Sequence, residues 1–293
     1  MGRFAYATPL QARTHMSNVS NVARAIRPNL PISDPESLRL ENLFGVAGKV
    51  ALITGGSSGV GRMIAAAFVA NGVRTYIVSR KQDRLASVVE ELSKFGNCRS
   101  IRGDLSTIEG VEACVRAYGD RESTLNILVN NTGAVGSGAL ASFTPEGWDR
   151  VFDLNVKNLF FLTQKFLPQL RAAASAEDWA RVINISSIGA RTTSANGPIA
   201  YATSKAAVEH LTRLLARQLA DCRITCNGIA PGWFPAARNA PLGEAAAEEW
   251  LRQTPVGRLG TTEDMGGLAL FLSSRAGAYV DGQIITTDGG KSL

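Results

Sequence analysis

The chain has 293 residues, of which 45% are hydrophobic and 19% are charged, and its formal net charge is +6. This balance is typical of a soluble globular protein, and no apolar run reaches the roughly 20 residues that a membrane-spanning helix needs. The positive charge favours an anionic ligand such as a phosphorylated cofactor. The basic residues are scattered without interleaved aromatics, so no nucleic-acid partner is predicted.

The first 44 residues differ from the rest of the chain. Four arginines precede the first acidic residue, Asp34, and prolines at 28, 31 and 35 discourage a continuous helix. An organellar transit peptide has such an Arg-rich, acid-poor composition, and so has an irregular arm that packs on the domain or on a neighbouring subunit. We therefore predict an N-terminal extension over residues 1–44, with both roles open, and one domain over residues 45–293.

From Lys49 onward, strand and helix patterns alternate, which predicts one α/β domain. The predicted strands are Val50–Thr54, Val73–Val78, Cys98–Arg102, Leu125–Asn130, Arg181–Ser186, Ile224–Ile229 and Gln283–Thr286. The predicted helices are Gly59–Asn71, Arg80–Phe95, Thr107–Tyr118, a helix around Trp148–Leu170, Tyr201–Leu219 and Thr262–Ser273. The expected fold is a Rossmann-type, doubly wound parallel sheet of about seven strands flanked by helices.

A glycine-rich turn joins the first predicted strand to the first helix. Its residues are Gly55, Ser57, Ser58, Gly59, Val60 and Gly61, with Gly56 between them. Glycines allow a tight turn and a close approach of the backbone to a pyrophosphate, and the N-terminus of the following helix attracts that anion. In this strand–turn–helix context the turn predicts a dinucleotide site.

The second predicted strand leads into Ser79 and Arg80 rather than into a carboxylate. A carboxylate at this point binds the ribose 2′-hydroxyl of NAD, whereas an arginine accommodates a 2′-phosphate with its planar donors. The alternative is that Arg80 only begins an exposed helix. We predict NADP(H) as the cofactor.

Tyr201 and Lys205 lie four residues apart at the start of a long predicted helix, and so on one face of it. A phenol is a weak acid at neutral pH, but a neighbouring ammonium favours its ionised form. Tyr201 can then act as a general acid or base. Ser187 follows another strand end, where it can hydrogen-bond a substrate carbonyl. Asn155 is a polar residue within a predicted helix, explained either by a local kink or by a water that it holds near Lys205.

Together these motifs resemble the short-chain dehydrogenase/reductase family over residues 45–293. The matching segments are Thr54–Gly61, Asp104-Leu105, Asn130-Asn131-Thr132-Gly133, Asn155, Ser187, Tyr201 with Lys205, and Pro231-Gly232. Other segments are similar to the β-ketoacyl reductase-like branch, which includes a rhamnolipid-pathway reductase. These segments are Ser175-Ala176-Glu177, Ala180–Ile185, Pro231-Gly232-Trp233-Phe234-Pro235 and Asp288-Gly289-Gly290.

The resemblance implies roles for the matching residues. Ser187 orients the carbonyl, Tyr201 is the acid/base, Lys205 also binds the nicotinamide ribose, and Asn155 holds a proton-relay water. Asp104 contacts adenine, while Asn131 and Gly133 flank the adenosine ribose. The remaining residues implied to bind the cofactor are Leu105, Thr132, Pro231, Gly232 and Phe234. Family members usually form homotetramers or homodimers on the helices bearing Tyr201 and Asn155.

Three positions depart from the family pattern. Thr132 replaces the usual alanine, and Ala236 replaces a threonine, which puts a contact to the nicotinamide carboxamide in doubt. Ser58 replaces an arginine in the glycine-rich turn, so Arg80 is left as the main predicted partner of a 2′-phosphate.

The predicted function is NADPH-dependent reduction of a ketone to a secondary alcohol. A loop over Trp233–Thr254, with Phe234, Leu242 and Trp250, suggests an apolar polyketide, 3-oxoacyl or ring ketone, although such aromatics equally often close the core. Three arginines offer an alternative carrier-phosphate site: Arg191, Arg238 and Arg252. The alternatives are a non-redox, cofactor-bound pathway protein and an NAD-dependent secondary alcohol dehydrogenase.

The cysteines and histidines bear on metal binding and on the compartment. They are Cys98, Cys114, Cys222, Cys226, His15 and His210, and no C-x-x-C pair occurs. The set supports neither a zinc site nor a disulfide framework. We therefore expect free thiols, no metal and a cytoplasmic location, unless the N-terminal extension directs the chain to an organelle.

Overall fold

The computed structural model describes residues 34–136, 140–193, 197–235 and 244–293. The chain divides into two units, residues 1–42 and residues 43–293. In the first unit a 3₁₀ helix spans Pro35–Leu38, and the Asp34 side chain caps it by accepting a bond from Glu36 N. A short helix, α1 (Leu40–Phe44), follows. Most of the predicted N-terminal extension, residues 1–33, lies outside the described residues.

Within the described residues, the second unit holds one sheet of seven strands. They are β1 (Val50–Thr54), β2 (Arg74–Ser79), β3 (Cys98–Arg102), β4 (Ile127–Asn130), β5 (Ala180–Ile185), β6 (Ile224–Pro231) and β7 (Ile284–Thr287). The spatial order is β3-β2-β1-β4-β5-β6-β7, and every neighbouring pair is parallel. The predicted Rossmann-type sheet is confirmed.

Helices cover both faces of this sheet. They are α2 (Gly59–Ala70), α3 (Gln82–Leu92), α4 (Ile108–Gly119), α5 (Pro145–Phe152), α6 (Asn158–Lys165), α7 (Leu167–Ala173), α8 (Ile199–Leu219), α9 (Glu244–Arg252) and α10 (Thr262–Ser273). Side chains of α2, α3 and α10 pack on one face around Ile53. Side chains of α4, α6 and α8 pack on the other around Leu52. Adjacent residues of β1 therefore point into opposite cores, as the two-residue period of a strand requires.

The single helix predicted around Trp148–Leu170 is wrong. The chain forms α5, a π-helical turn at Asp153–Lys157, α6 and α7. The helix starts earlier than predicted because Thr144 caps it, accepting a bond from Gly147 N. It breaks before α7 because Pro168, which has no N–H, stands in the first turn of that helix.

Other boundaries also differ from the predictions. The helix α3 is shorter than Arg80–Phe95, because Lys81 has an extended backbone and precedes the first helical residue, and the helix ends at Leu92. The predicted loop over Trp233–Thr254 contains the helix α9, whose alanine- and glutamate-rich sequence has high helix propensity. Several strand ends move by one or two residues, within the usual uncertainty of boundaries.

None of the four cysteines, all of which are described, forms a disulfide. Burial raises the pKa of Cys98 to about 11 and that of Cys114 to about 12. In the described part of the chain no group of histidine, cysteine and acidic side chains is arranged to hold a metal. No helix among the described residues is long and apolar enough to cross a membrane.

Candidate active site

A cavity of about 510 Å³ opens at the carboxyl ends of the strands. It lies where the strand order reverses between β1 and β4, the position at which open α/β sheets bind ligands. Of the predicted site residues, the cavity is lined by Gly55, Ser57, Ser58, Gly59, Val60, Ser79, Arg80, Asp104, Leu105, Asn131, Thr132, Gly133, Ser187, Tyr201, Lys205, Pro231, Gly232 and Phe234. Gly61 and Asn155 are the two predicted residues that do not line it.

The glycine-rich turn packs closely against the end of β4. A Cβ added to Gly61 would lie 2.4 Å from Asn131 Nδ2, so this glycine serves the packing of the turn rather than the cavity wall. Asn131 Nδ2 donates to Thr54 O at 2.8 Å. The hydroxyl of Thr54 accepts from the backbone N–H of both Asn131 and Thr132 at 2.9 Å. These bonds join the ends of β1 and β4.

The N-terminus of α2 faces the same cavity. Ser58 is the residue before its first turn and its side chain makes no capping hydrogen bond. Ser58, Gly59 and Val60 all line the cavity. Since no side chain caps these N–H groups and the positive end of the helix dipole lies here, the turn can bind an anionic pyrophosphate.

Basic side chains that follow β2 also line the cavity. Arg80 is joined there by Lys81 and Arg84, which the sequence analysis did not include among the site residues. The spacing of Arg84, four residues after Arg80, is the signal that could have identified it. Arg80 Nη1 lies 3.8 Å from Asp104 Oδ2. Partial burial raises the pKa of Asp104, but hydrogen bonds from Ser106 and the charge of the Arg80 guanidinium outweigh it, so the pKa is lowered overall.

Tyr201 and Lys205 lie on the first turns of α8, which begins at Ile199. Lys205 is buried, and its Nζ donates to Ile185 O at 2.6 Å. The same Nζ lies 5.7 Å from the centroid of the Tyr201 ring. A buried ammonium this close to a phenol favours the phenolate.

Ser187 lies two residues beyond the end of β5 and caps a 3₁₀ turn over Ile188–Ala190. Its Oγ accepts a bond from Gly189 N at 3.1 Å. Ser187, Tyr201 and Lys205 thus come from two elements, the end of β5 and the start of α8, and all three line the cavity.

Asn155 lies in the π turn and is fully buried. Its Oδ1 accepts from Ala134 N at 2.7 Å, and its Nδ2 donates to Ala134 O and to Ser204 Oγ. A Cβ added to Gly133 would lie 3.2 Å from Asn155 Oδ1 and 3.7 Å from Lys205 Nζ, so the two side chains approach the same glycine. Of the two explanations for Asn155, the local distortion is observed, and a water held near Lys205 stays a prediction.

Aromatic residues surround the segment after β6. Phe234 lines the main cavity and also a second cavity of about 150 Å³. Trp233 and Trp250 line the second cavity and meet edge to face, with ring centroids 5.3 Å apart. Residues 236–243, which include Ala236, Arg238 and Leu242, lie outside the described residues.

Two of the three arginines considered for a carrier phosphate have partners within the chain. Arg191 Nε donates to Glu209 Oε2 at 3.1 Å, and Arg252 pairs with Glu249. The third, Arg238, is one of the residues that the structure does not describe.

Comparisons with known proteins agree with this geometry. A family model described as enoyl-(acyl carrier protein) reductase matches residues 55–292. The rhamnolipids biosynthesis 3-oxoacyl-(acyl-carrier-protein) reductase of Pseudomonas aeruginosa is 41% identical over 252 residues, which cover 85% of this chain and 98% of that protein. The short-chain dehydrogenase/reductase PhomF of Diaporthe leptostromiformis is 34% identical over 278 residues, covering 87% of this chain and 95% of that protein.

A solved structure is similar over nearly the same span. The Pseudomonas aeruginosa RhlG/NADP active-site complex matches with a TM-score of 0.82 and 41% identity, covering 86% of this chain and 99% of that chain. The family model and these relatives each cover most of the chain. The protein therefore belongs to the short-chain dehydrogenase/reductase family of oxidoreductases.

Proposed function

We propose that the protein is an NADPH-dependent ketoreductase that converts a ketone to a secondary alcohol, with Tyr201 as the general acid. The observation that carries the proposal is the meeting of Ser187, Tyr201 and Lys205 at the cavity that the glycine-rich turn also lines. Carbonyl reduction requires a hydrogen bond to the carbonyl oxygen, a proton donor and a means of stabilising the phenolate that remains.

The cofactor is NADP(H), and the donor set of the cavity fits it. The N-terminus of α2 would hold the pyrophosphate, and the side chains of Arg80, Lys81 and Arg84 would hold the 2′-phosphate. Each of the two anionic groups of the cofactor would then meet a positively charged group that lines the cavity.

The hydride for the ketone carbon comes from NADPH when that cofactor is bound. Ser187 would orient the ketone by donating a hydrogen bond to its oxygen. Tyr201 would give its proton to that oxygen as negative charge develops there, so that a neutral alcohol forms. Lys205 would stabilise the resulting phenolate, and the phenolate is reprotonated from solvent before the next turnover.

We further propose an apolar ketone as substrate: a 3-oxoacyl, polyketide or ring ketone. Trp233, Phe234 and Trp250 support an apolar binding surface beside the site, and the Pseudomonas relative is by name a 3-oxoacyl reductase. The phosphate-carrier alternative has less support, because Arg191 and Arg252 already pair with carboxylates. We expect a homodimer or homotetramer that acts in the cytoplasm.

The test is a turnover assay with a panel of 3-oxoacyl thioesters, β-keto esters and cyclic ketones. NADPH consumption should match formation of a secondary alcohol, identified by chromatography against authentic standards. Tyr201→Phe should lower kcat by about 10²–10⁴-fold, the usual contribution of a general acid, while the Kd for NADPH stays unchanged.

The outcomes separate the alternative functions. NADPH binding without consumption across the panel would favour a non-redox pathway protein. Tighter binding of NADH, with turnover of secondary alcohols and NAD, would favour an alcohol dehydrogenase. Turnover by Tyr201→Phe at the parent rate would contradict the assigned acid.

A further inference from the structure

A buried carboxylate that the proposed chemistry does not use lies one turn beyond Lys205 on α8. The side chain of Glu209 is only 9% exposed. Its Oε1 accepts a hydrogen bond from Ser186 Oγ at 3.1 Å, and its Oε2 accepts from Arg191 Nε at 3.1 Å. Ser186 and Arg191 lie on either side of the 3₁₀ turn that begins at Ser187. One carboxylate therefore connects both ends of this turn to the helix that carries Tyr201 and Lys205.

Arg191 is tied to a third element as well. Its Nη1 donates to Thr286 Oγ1 at 2.7 Å, and its Nη2 lies 3.4 Å from Ile284 O, both on β7. All three nitrogens of the guanidinium thus have acceptors within the chain. An arginine engaged in this way orients the backbone around it and is not available to bind a phosphate on a substrate carrier.

The start of the turn is anchored a second time, to Lys205 itself. Lys205 Nζ donates to Ile185 O at 2.6 Å, and Ser186 Oγ lies 3.3 Å from Lys205 O. Within the turn, the N–H groups of Gly189 and Ala190 bond to the Oγ and the O of Ser187. The backbone of Ser187 is consequently held between two attachments to α8.

We propose that Glu209 and Arg191 are positioning residues that hold Ser187 at the distance from Tyr201 that carbonyl reduction requires. This inference rests on the proposed function. Both residues act through other groups, since neither lines the cavity. Catalytic geometry tolerates displacements of only about 0.5 Å. If the turn were attached to α8 at one end alone, Ser187 would be displaced and the rate of carbonyl reduction would fall. Removing Arg191 would leave the buried Glu209 carboxylate without its cation, and removing the Glu209 charge would release one attachment of the turn to α8.

The chain offers a matched control in a second, partly buried ion pair. The side chains of Arg74 and Glu122 are 38% and 11% exposed, compared with 37% and 9% for Arg191 and Glu209. Arg74 begins β2, at the amino end of the sheet and so at the end opposite the cavity. Glu122→Gln should therefore reproduce any general loss of stability without altering the site.

The experiment compares Glu209→Gln, Arg191→Met, Arg191→Lys and Glu122→Gln in the full chain. We expect Glu209→Gln and Arg191→Met to lower kcat by about 10–10²-fold, as misplacement of a catalytic group does, while KM and the Kd for NADPH stay unchanged. The deuterium isotope effect with [4-²H]NADPH should rise, because hydride transfer becomes more rate-limiting. Arg191→Lys, which keeps a cation beside Glu209, should recover part of kcat, and Glu122→Gln should match the parent.

Hydrogen exchange gives a readout that does not depend on turnover. The amides of residues 189–192 are all hydrogen-bonded within the turn, so they should lose protection in Glu209→Gln and Arg191→Met but not in Glu122→Gln. Unchanged protection in both variants would overturn the positioning role, and so would equal losses of kcat in Glu209→Gln and Glu122→Gln. A parent that reduces no ketone, with protection altered as expected, would instead contradict the proposed function.

Discussion

At the scale of single residues, the contacts of Arg80 bear on the binding proposed for the 2′-phosphate of the cofactor. Arg80 and Asp104 approach to 3.8 Å, but both side chains are more than half exposed. An exposed pair at this distance contributes little free energy. The guanidinium therefore remains available to a phosphate, and the carboxylate lies near enough to repel that phosphate if the arginine is lost.

The first prediction concerns this arginine. Arg80→Asp should weaken NADPH binding by at least about tenfold, the equivalent of 1.4 kcal/mol, and leave NADH binding nearly unchanged. Arg84→Gln should have a smaller effect in the same direction, because Arg84 adds charge to the same cluster. Energy transfer from tryptophan to the bound cofactor, in parallel titrations with NADPH and NADH, measures the Kd of each cofactor.

Arg116→Asp is the control for this change in net charge. Arg116 is 69% exposed, compared with 65% for Arg80, and lies on α4 away from the cavity lining. If Arg80→Asp weakens NADPH binding no more than Arg116→Asp does, the Arg80 side chain does not hold the 2′-phosphate.

At the scale of elements, the first turn of α10 has a reciprocal capping arrangement. Asp264 Oδ2 accepts from Thr261 N at 2.9 Å, and Asp264 N bonds back to Thr261 Oγ1. The Arg258 guanidinium donates to both oxygens of the Asp264 carboxylate. The hydrogen bonds from Arg258 and from the backbone of Thr261 together hold the pKa of Asp264 well below its usual range.

The sign of the resulting pH dependence follows from that lowered pKa. The folded chain binds this proton less tightly than the unfolded chain does, so the stabilisation is complete above the unfolded pKa of about 3.9. It is lost progressively as the pH falls from there through the lower pKa of the folded chain. At pH 7, Asp264→Asn should lower the free energy of unfolding by about 1 kcal/mol, a typical value for a lost cap. For a chain of this size the same change lowers the Tm by about 2–4 °C.

Thermal unfolding of parent and variant between about pH 3 and pH 7 tests this linkage. The difference in Tm should narrow as the pH falls below about 4, since the unfolded parent then takes up the proton that the folded parent still excludes. Asp83→Asn is the control, because Asp83 lies in the first turn of α3, which has no side-chain cap. A difference in Tm that stays constant with pH would contradict the assigned role of the Asp264 charge.

At the scale of the whole molecule, the helix that carries Tyr201 and Lys205 also has exposed apolar side chains. Ile199 and Leu214 on this helix are each more than a third exposed. Single exposed apolar residues are common in monomers, but the family resemblance implies assembly along this helix. We therefore expect the chain to associate with itself through α8.

Light scattering coupled to size exclusion should give two or four times the mass of one chain. Leu214→Glu should reduce that mass, because a charge in the centre of a subunit interface is costly to bury. Phe95→Glu is the control, since Phe95 is also exposed but lies beyond α3 on another part of the domain. A monomeric parent would contradict this assembly.

Local patterns in the sequence were sufficient to predict the sheet and the outline of the site. Strands buried on both faces read as short apolar runs, so β1, β4 and β5 were recognisable without their partners. The glycine-rich turn and the pairing of Tyr201 with Lys205 could be predicted too, because each is defined by residue spacing within a single turn or helix. Because parallel strands end at one edge of the sheet, chain order alone then predicted that Ser187 would join them.

Contacts between distant segments decided the rest. The π turn exists where Asn155 bonds to Ala134 and Ser204, which lie 21 and 49 residues away, and no helical period encodes such partners. From the sequence alone, Arg191 resembles an isolated surface arginine. In the structure it bonds to Glu209 and Thr286, which lie far from it along the chain. The sequence by itself therefore determined the fold, the family and the side chains proposed to be catalytic, because these follow from local periodicity and spacing. Only the tertiary structure decided what holds those side chains in place, because that depends on partners far apart along the chain.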